Sequence, residues 1–257
     1  MRNKPTLSVI VPVFNARPFL RRALESLLDE QLESMEVIVI DDASTDGSLG
    51  EVNDLPVVRV RRERNGGPAG ARNSGLAVAQ GDLIAFLDAS EILVAHGMRW
   101  RLEYLSKHPD EMAVMGGIGG LIDGEGKPIK TSPEILEGHR RAPVRLSLEY
   151  VKRRGFNFTT PLNCLMVRSR VLAETGGFGK EFEGRRLAPE DIDFMLRLLS
   201  LTSIPYVRRP TVLYRIDRSS GSSVESERGL LTPRQLAIER ILVEQSYGIP
   251  PLPLPRN

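Results

Sequence analysis

The sequence of 257 residues contains one cysteine, one tryptophan and three histidines, and its acidic and basic residues nearly cancel, leaving a net charge of +2. A single cysteine, Cys164, cannot close an internal disulfide. Its neighbours Leu162, Leu165, Met166 and Val167 read as a strand that buries the thiol, which fits a reducing, cytosolic setting. His96, His108 and His139 lack mutual metal-ligand spacing, so they read as surface or structural residues. The small net charge argues against nucleic acid as a general partner. No apolar run approaches the roughly 20 residues that cross a bilayer. The N-terminal "LSVIVPV" is broken by Pro12 and followed by Asn15 and Arg17, so no secretory core is expected there. The expectation is a cytoplasmic chain without a transmembrane segment, with contact at the inner face of a membrane left open.

What is present is a repeated alternation of short apolar runs with amphipathic segments, the pattern of β–α units closing into a mainly parallel sheet with helices on both faces. At 41% hydrophobic and 26% charged residues, the chain can bury one sizeable core, and a single domain over 1–257 is expected. Leu7–Val13 forms the first strand. Pro18 opens a helix whose apolar face carries Leu20, Ala23, Leu24, Leu27 and Leu28. "MEVIVIDD" forms a second strand ending in Asp41 and Asp42, and "ASTDGS" leads into another helix with Ser44 or Thr45 as its cap. "PVVRVRR" forms a third strand. It runs into "RNGGPAGARNSGLAVAQG", which becomes helical around Ala69–Ala79. Gly66, Gly67 and Gly70 allow close backbone approach to a ligand, and a helix start there offers free N–H groups to an anion. The spacing matches neither the dinucleotide fingerprint nor the P-loop. A buried strand, Leu83 to Leu87, then delivers Asp88 to the C-terminal edge of the sheet, where open α/β sheets bind ligands.

Beyond Ala95 the pattern becomes mixed. A helix through Trp100, Leu102 and Leu105 precedes "MAVMGGIGGLIDGEGKPI", in which Asp123-Gly124-Glu125-Gly126 marks a hairpin turn. Thr131–Arg154 is polar, basic and proline-interrupted, and reads as a loop with one or two short helices that could cover the site or face an acceptor. "LNCLMV" reads as a strand. In "PEDIDFMLRLLS", Ile192, Met195, Leu196 and Leu199 form an apolar helical face, with Glu190, Asp191 and Asp193 in the first turn where the helix dipole favours negative charge. "SIPYVRRPTVLYRI" reads as a final strand or strand pair, Leu236–Val243 as a last helix, and "IPPLPLPRN" as a flexible end.

"SVIVPVFNARPFLRRALESLL", "EVIVIDDASTDGS", "NGGPAGARNSGLAVAQGDLIAFLDA" and "GGF…PEDIDFMLRL", in this order and spanning roughly residues 6–216, resemble family 2 glycosyltransferases of the GT-A fold. The resemblance implies a nucleotide-sugar-binding half up to about residue 92, an acceptor-binding half to about 220 and a C-terminal tail, 221–257. It implies transfer of a sugar, with inversion, from a nucleotide diphosphate sugar to a hydroxyl of a polysaccharide, a lipid-linked glycan or a small molecule, with UDP-sugar the first guess. By the same matching, Pro12, Val13, Asn15, Asp41 and Asp42 would hold the nucleobase, where a carboxylate can accept an imide N–H. Asn65, Gly67 and Arg72 would border the base and phosphates, Asp88 and Ala89 the ribose or metal, and Asp191 of the Glu190-Asp191 pair would deprotonate the acceptor.

The family's D-x-D motif here reads Asp88-Ala89-Ser90, with Glu91 next, and Asp217 stands where the family often has a histidine. One reading keeps Mn²⁺ or Mg²⁺ on Asp88, Ser90, Glu91 and Asp217. In another, Arg215, Arg218 or Arg185 neutralises the leaving diphosphate. A third makes the chain a catalytically impaired nucleotide-sugar binder or scaffold.

Overall fold

The computed structural model describes residues 4–129, 142–154, 161–184 and 190–216. Arg185, Asp217, Arg218, residues 130–141 with His139, and the whole C-terminal tail lie outside the described residues. In the first half, β1 (Leu7–Val13), α1 (Arg17–Leu28), β2 (Met35–Asp41), β3 (Val58–Arg61), α2 (Gly67–Val78) and β4 (Leu83–Phe86) follow in order. The four strands are parallel in the spatial order β3-β2-β1-β4, with Val9 opposite both Val37 and Ala85. β1 is flanked by strands on both sides, so nearly every residue is apolar and buried. The chain adds β2 and β3 to one side of β1 and β4 to the other. Right-handed crossovers therefore carry α1 and α2 over opposite faces, and the reversal opens a ligand site at the carboxyl ends of β1 and β4.

α1 buries Leu20, Ala23, Leu24 and Leu27, the stripe its spacing predicts, with Leu28 at the margin. After β2 the chain does not form the expected α-helix. It makes a single 3₁₀ turn, Ser48–Val52, without a side-chain cap from Ser44 or Thr45. The turn starts only after Gly47, in the left-handed region at φ 80°, and Ser44 Oγ instead accepts the Asn15 N–H at 3.0 Å.

The second half contains β5 (Ile92–Leu93), α3 (Gly97–Lys107), β6 (Ala113–Ile122), β7 (Pro128–Ile129), β8 (Arg145–Leu146), α4 (Leu148–Arg154), β9 (Leu165–Arg168), α5 (Leu172–Thr175), α6 (Glu190–Leu201) and β10 (Ile204–Arg215). β9 enters antiparallel between β4 and β6, and β10 runs parallel to β6 with shifts of register between Tyr206 and Leu213. The final segment is thus one long, irregular strand. β6 and β7 form the expected hairpin, in which Asp123 Oδ1 accepts the N–H groups of Glu125 and Lys127 and Gly126 turns at φ 83°. "LNCLMV" is only half strand: Leu162–Cys164 is a 3₁₀ turn, and Cys164 is buried there, before β9 begins.

Trp100 packs in the core, and His96 and His108 are at the surface, as expected. Phe86, Phe178 and Phe194 form the wedge that fixes α6 against β4. Phe178 lies edge-on to Phe86 at 5.5 Å and stacks on Phe194 at 4.9 Å. Asn73 of α2 clamps the backbone of Phe178, donating to its carbonyl and accepting its N–H, both at 2.8 Å. This wedge brings the first turn of α6 to the C-terminal edge of β4.

Candidate active site

At the ends of β1 and β2, two polar loops are knitted together. Asn15 holds a left-handed backbone, φ 49°, and its Oδ1 accepts the Thr45 N–H at 2.9 Å. Asp41 Oδ1 accepts the Ser44 N–H at 2.9 Å. Asp42 is buried, and its two oxygens accept the Gly66 N–H at 3.0 and 3.1 Å. Arg62 donates to Asp42 Oδ1 at 2.6 Å, and its guanidinium lies so close over Gly66 and Gly70 that a side chain at either position would collide with it. Asp42 thus ties the glycine-rich loop to β2 as well as standing beside the expected base site. Asn65 Oδ1 accepts the N–H of Gly67, which turns at φ 68°. Pro12 and Val13 end β1, and the Val13 carbonyl accepts the Asp42 N–H at 2.8 Å. Phe14, beside them, is half exposed.

The second cluster centres on Arg72 of α2, which is buried. Its Nη2 donates to Asp88 Oδ1 at 3.0 Å and its Nη1 to Glu190 Oε1 at 2.7 Å, while the guanidinium lies over the Phe178 ring at 5.4 Å. Arg72 was expected along the phosphates. It pairs with carboxylates there, with Asp88, Glu190 and Asp191 around it. Burial weakens the Arg72 cation, but the charges of Asp88, Glu190 and Asp191 outweigh this and raise its pKa above the ordinary value. Burial pushes Glu190 up to about 7, against the pull of Arg72. Asp191, whose Oδ1 accepts the Ile192 N–H at 2.8 Å, is also raised, first by burial. A raised carboxylate pKa is the condition in which a proton acceptor works near neutrality. The sequence alone signalled the acid pair, but nothing in it marked Arg72 as their bridge.

The metal set is where expectation and structure part. Among the described residues, no three His, Cys, Asp or Glu side chains gather in a group that could hold a metal ion. Asp88 is partly exposed, with its carboxylate between Arg72 and Asn163. Ala89 is buried and Ser90 is neutral. Glu91 is buried, its Oε2 accepting the Arg215 N–H at 2.9 Å, and burial together with the nearby Asp88 charge drives its pKa well above the ordinary value. With Ser90 neutral and Glu91 buried on the Arg215 N–H, the described part of the set does not gather into a site for a hard cation. Asp217 lies outside the described residues. Arg215, read as a candidate cation for the diphosphate, is buried: its Nε donates to the Ser90 carbonyl at 2.7 Å, and its Nη1 donates to the carbonyls of Asp123 and Gly124. It clamps the loop after Asp88 to the β6–β7 turn.

The sequence model described as glycosyl transferase family 2 matches residues 8–172. A stretch of 134 residues, 50% of this chain, is 34% identical to an uncharacterized glycosyltransferase of Haemophilus influenzae, and spans 52% of that relative. The chain thus spans about half the length of this relative. Among solved structures, the mannosyltransferase PcManGT of Pyrobaculum calidifontis, in complex with GDP-Man and Mn²⁺, superposes with a TM-score of 0.67 over 96% of this chain and 66% of its own, at 18% identity. TarS 1-349 of S. aureus, in complex with UDP-GlcNAc, gives 0.65 over 93% and 66%, also at 18% identity. These likenesses establish the GT-A-like fold. Among the described residues, no helix is long and apolar enough to cross a membrane.

Proposed function

The chain belongs to glycosyl transferase family 2, and from that premise we propose that it is an inverting glycosyltransferase that moves a sugar from a nucleotide diphosphate sugar to a hydroxyl acceptor. The observation that carries this reading is the bridge from Asp88 through Arg72 to Glu190 beside Asp191, which joins a donor-side carboxylate to an acid pair at the sheet's C-terminal edge. The halves are read as a donor-binding unit to about residue 92 and an acceptor-binding unit beyond it, in one domain.

Asp191 is the base. Its carboxylate takes the acceptor's O–H proton, the freed oxygen pair bonds to the anomeric carbon, and the carbon–oxygen bond to the diphosphate breaks on the opposite side, so the nucleoside diphosphate leaves with that electron pair. Arg72 keeps the acid pair and Asp88 in register while the charge shifts. Asn15, Asp42, Asn65 and Gly67 border the base and phosphates, and Asp88 meets the ribose. UDP-sugar remains the first guess for donor, supported by the UDP-GlcNAc in the TarS structure, while the GDP-Man in PcManGT keeps GDP-sugar in the test. The acceptor class is a polysaccharide, a lipid-linked glycan or a small molecule. No step is routed through a divalent ion, since the described donors do not form a site for one.

Calorimetric titration of UDP, dTDP and GDP, each with Mn²⁺ and again with a chelator, tests the donor site without an acceptor. Binding that survives the chelator would favour neutralisation by protein cations, and binding abolished by it would assign a metal role to Asp88 with Asp217. Asp191→Asn should then lower nucleotide release from the bound sugar donor by about 10²–10⁴-fold while leaving nucleotide affinity unchanged. The altered metal set at Ser90 and Glu91 favours a second reading, an impaired nucleotide-sugar binder. Wild-type protein that binds the nucleotide but releases none from its sugar, over a panel of glycan acceptors, would move that reading to first place.

A further inference from the structure

Asp88 is held from the protein side at more points than a surface carboxylate needs. Its backbone N–H donates to Asn163 Oδ1 at 3.1 Å, and Asn163 Nδ2 donates back to Asp88 Oδ2 at 3.1 Å. The two bonds together fix which way the amide faces, because a flipped amide would set N–H against N–H and oxygen against carboxylate. Asn163 is 2% exposed, and it stands in the 3₁₀ turn Leu162–Cys164, which takes it out of the alternation of β9.

Beneath it lies Arg101 of α3, wholly buried. Arg101 Nη1 donates to the carbonyls of Asn163 at 3.2 Å and Leu165 at 3.1 Å, and its Nε donates to the Gly97 carbonyl at 2.9 Å. Among the described residues its hydrogen-bond acceptors are main-chain carbonyls and the Met98 thioether, with no carboxylate. A buried guanidinium spent on holding backbone is costly to desolvate, and an apolar side chain would fill the same volume among Leu105, Met98 and Cys164 without that cost. What the guanidinium adds is a fixed position for the turn that carries Asn163.

We propose that Asn163, seated on Arg101, is a positioning residue of the donor site: it orders both the main chain and the carboxylate of Asp88, so that the oxygen lone pairs left over meet a nucleoside diphosphate as a preformed acceptor. The proposal rests on the donor-site reading above and adds two residues that the motifs do not contain. With Arg72 on the other oxygen, the same arrangement accounts for an ordered Asp88 beside a neutral Ser90.

The test titrates UDP, GDP and dTDP calorimetrically into wild type, Asn163→Leu and Asn163→Asp, each well below its melting temperature. Asn163→Leu should weaken the nucleotide that wild type binds by about 10- to 100-fold, the loss expected for hydrogen bonds to a charged group. Asn163→Asp keeps the volume and sets two carboxylates in contact. Asp88 is also faced by Arg72 from α2, by Glu91 in its own loop and by Asp191 from α6. The Asn163→Asp defect, relative to wild type, should therefore grow as pH rises through about 5 to 8 and the shared proton is lost. An Asn163→Leu protein that melts lower but binds with wild-type affinity would show a packing role only and overturn the proposal, as would an Asn163→Asp defect independent of pH. If Asn163→Leu does not fold, Asn163→Asp decides alone. Wild type that binds none of the three nucleotides would overturn the donor-site reading, and this proposal with it.

Discussion

The loops at the ends of β1 and β2 and the cluster around Arg72 are both rich in carboxylates, yet they satisfy them by different means. In the loops the acceptors take mostly main-chain N–H groups: Asp41 that of Ser44, Asp46 those of Ser48 and Arg17, and Asp42 that of Gly66 beside the Arg62 guanidinium. Around Arg72 the partners are side chains drawn from far apart, with Glu190 118 residues away and Asn163 75 residues from Asp88. Main-chain N–H groups stay in place whatever side chains are changed, whereas a charge cluster survives only as a set. The loops should therefore tolerate single substitutions that the cluster does not.

Arg72→Met should break the comparison most sharply. It leaves Glu190 and Asp191 buried without their cation, and removing one partner of a buried pair typically costs about 3–5 kcal/mol. Glu190 can escape part of that cost by taking a proton, so denaturant unfolding should show a larger loss above pH 7 than at pH 5. A loss independent of pH would mean that the contact with Phe178, and not pairing with the carboxylates, is what Arg72 supplies.

Glu190→Gln should have a smaller effect and a distinct sign. A carboxyl raised in the folded state to about 7 binds its proton more tightly folded than unfolded, so its contribution is complete below the unfolded value near 4.3 and is lost as pH rises through 7. Wild type should lose stability across that window, and Glu190→Gln should flatten the profile while Asp191 keeps a residual slope. Melting temperatures recorded from about pH 4 to 8 would sharpen the comparison, because the same scan on an Asp41→Asn protein should leave the slope in place.

Sequence reading reached the parallel half well, since continuous apolar strands and the stripe of α1 are local signals. It also placed Asp88 at the sheet edge and Asp191 in the first turn of a late helix. It missed what depends on partners remote in the chain. It did not show that Arg72, read as bordering the base and phosphates, pairs with Asp88 and Glu190, that Asn163, read as a strand residue, stands in a 3₁₀ turn against Asp88, or that Arg215, a candidate cation for the leaving group, holds the carbonyls of Ser90, Asp123 and Gly124. Glu91 was counted as a ligand because its type suits a metal, but the N–H of Arg215, 124 residues on, turns it inward. Periodicity specifies which face of an element is buried; it carries no term for which polar groups meet across the core.

Asp46 offers the mildest break, and it tests the tolerant side of the comparison. α1 has no side-chain cap of its own at Ala16. The cap comes from the neighbouring loop instead: Asp46 Oδ2 accepts the Arg17 N–H at 2.9 Å, and Ser48 Oγ accepts the Ala16 N–H at 3.0 Å while donating to Asp46 Oδ1. Burial works against the Asp46 anion, but hydrogen bonds from Ser48 and Arg17 outweigh it and lower its pKa below the ordinary range. Asp46→Ala should cost about 1 kcal/mol, the usual worth of a cap. A group depressed in the folded state contributes above its unfolded value and loses that contribution as pH falls through the folded one. The gap between wild type and Asp46→Ala should accordingly be full at pH 7 and shrink below about pH 4, opposite in direction to the Glu190 profile. A cost as large as that of Arg72→Met would show that the two loops are a charge-dependent set after all.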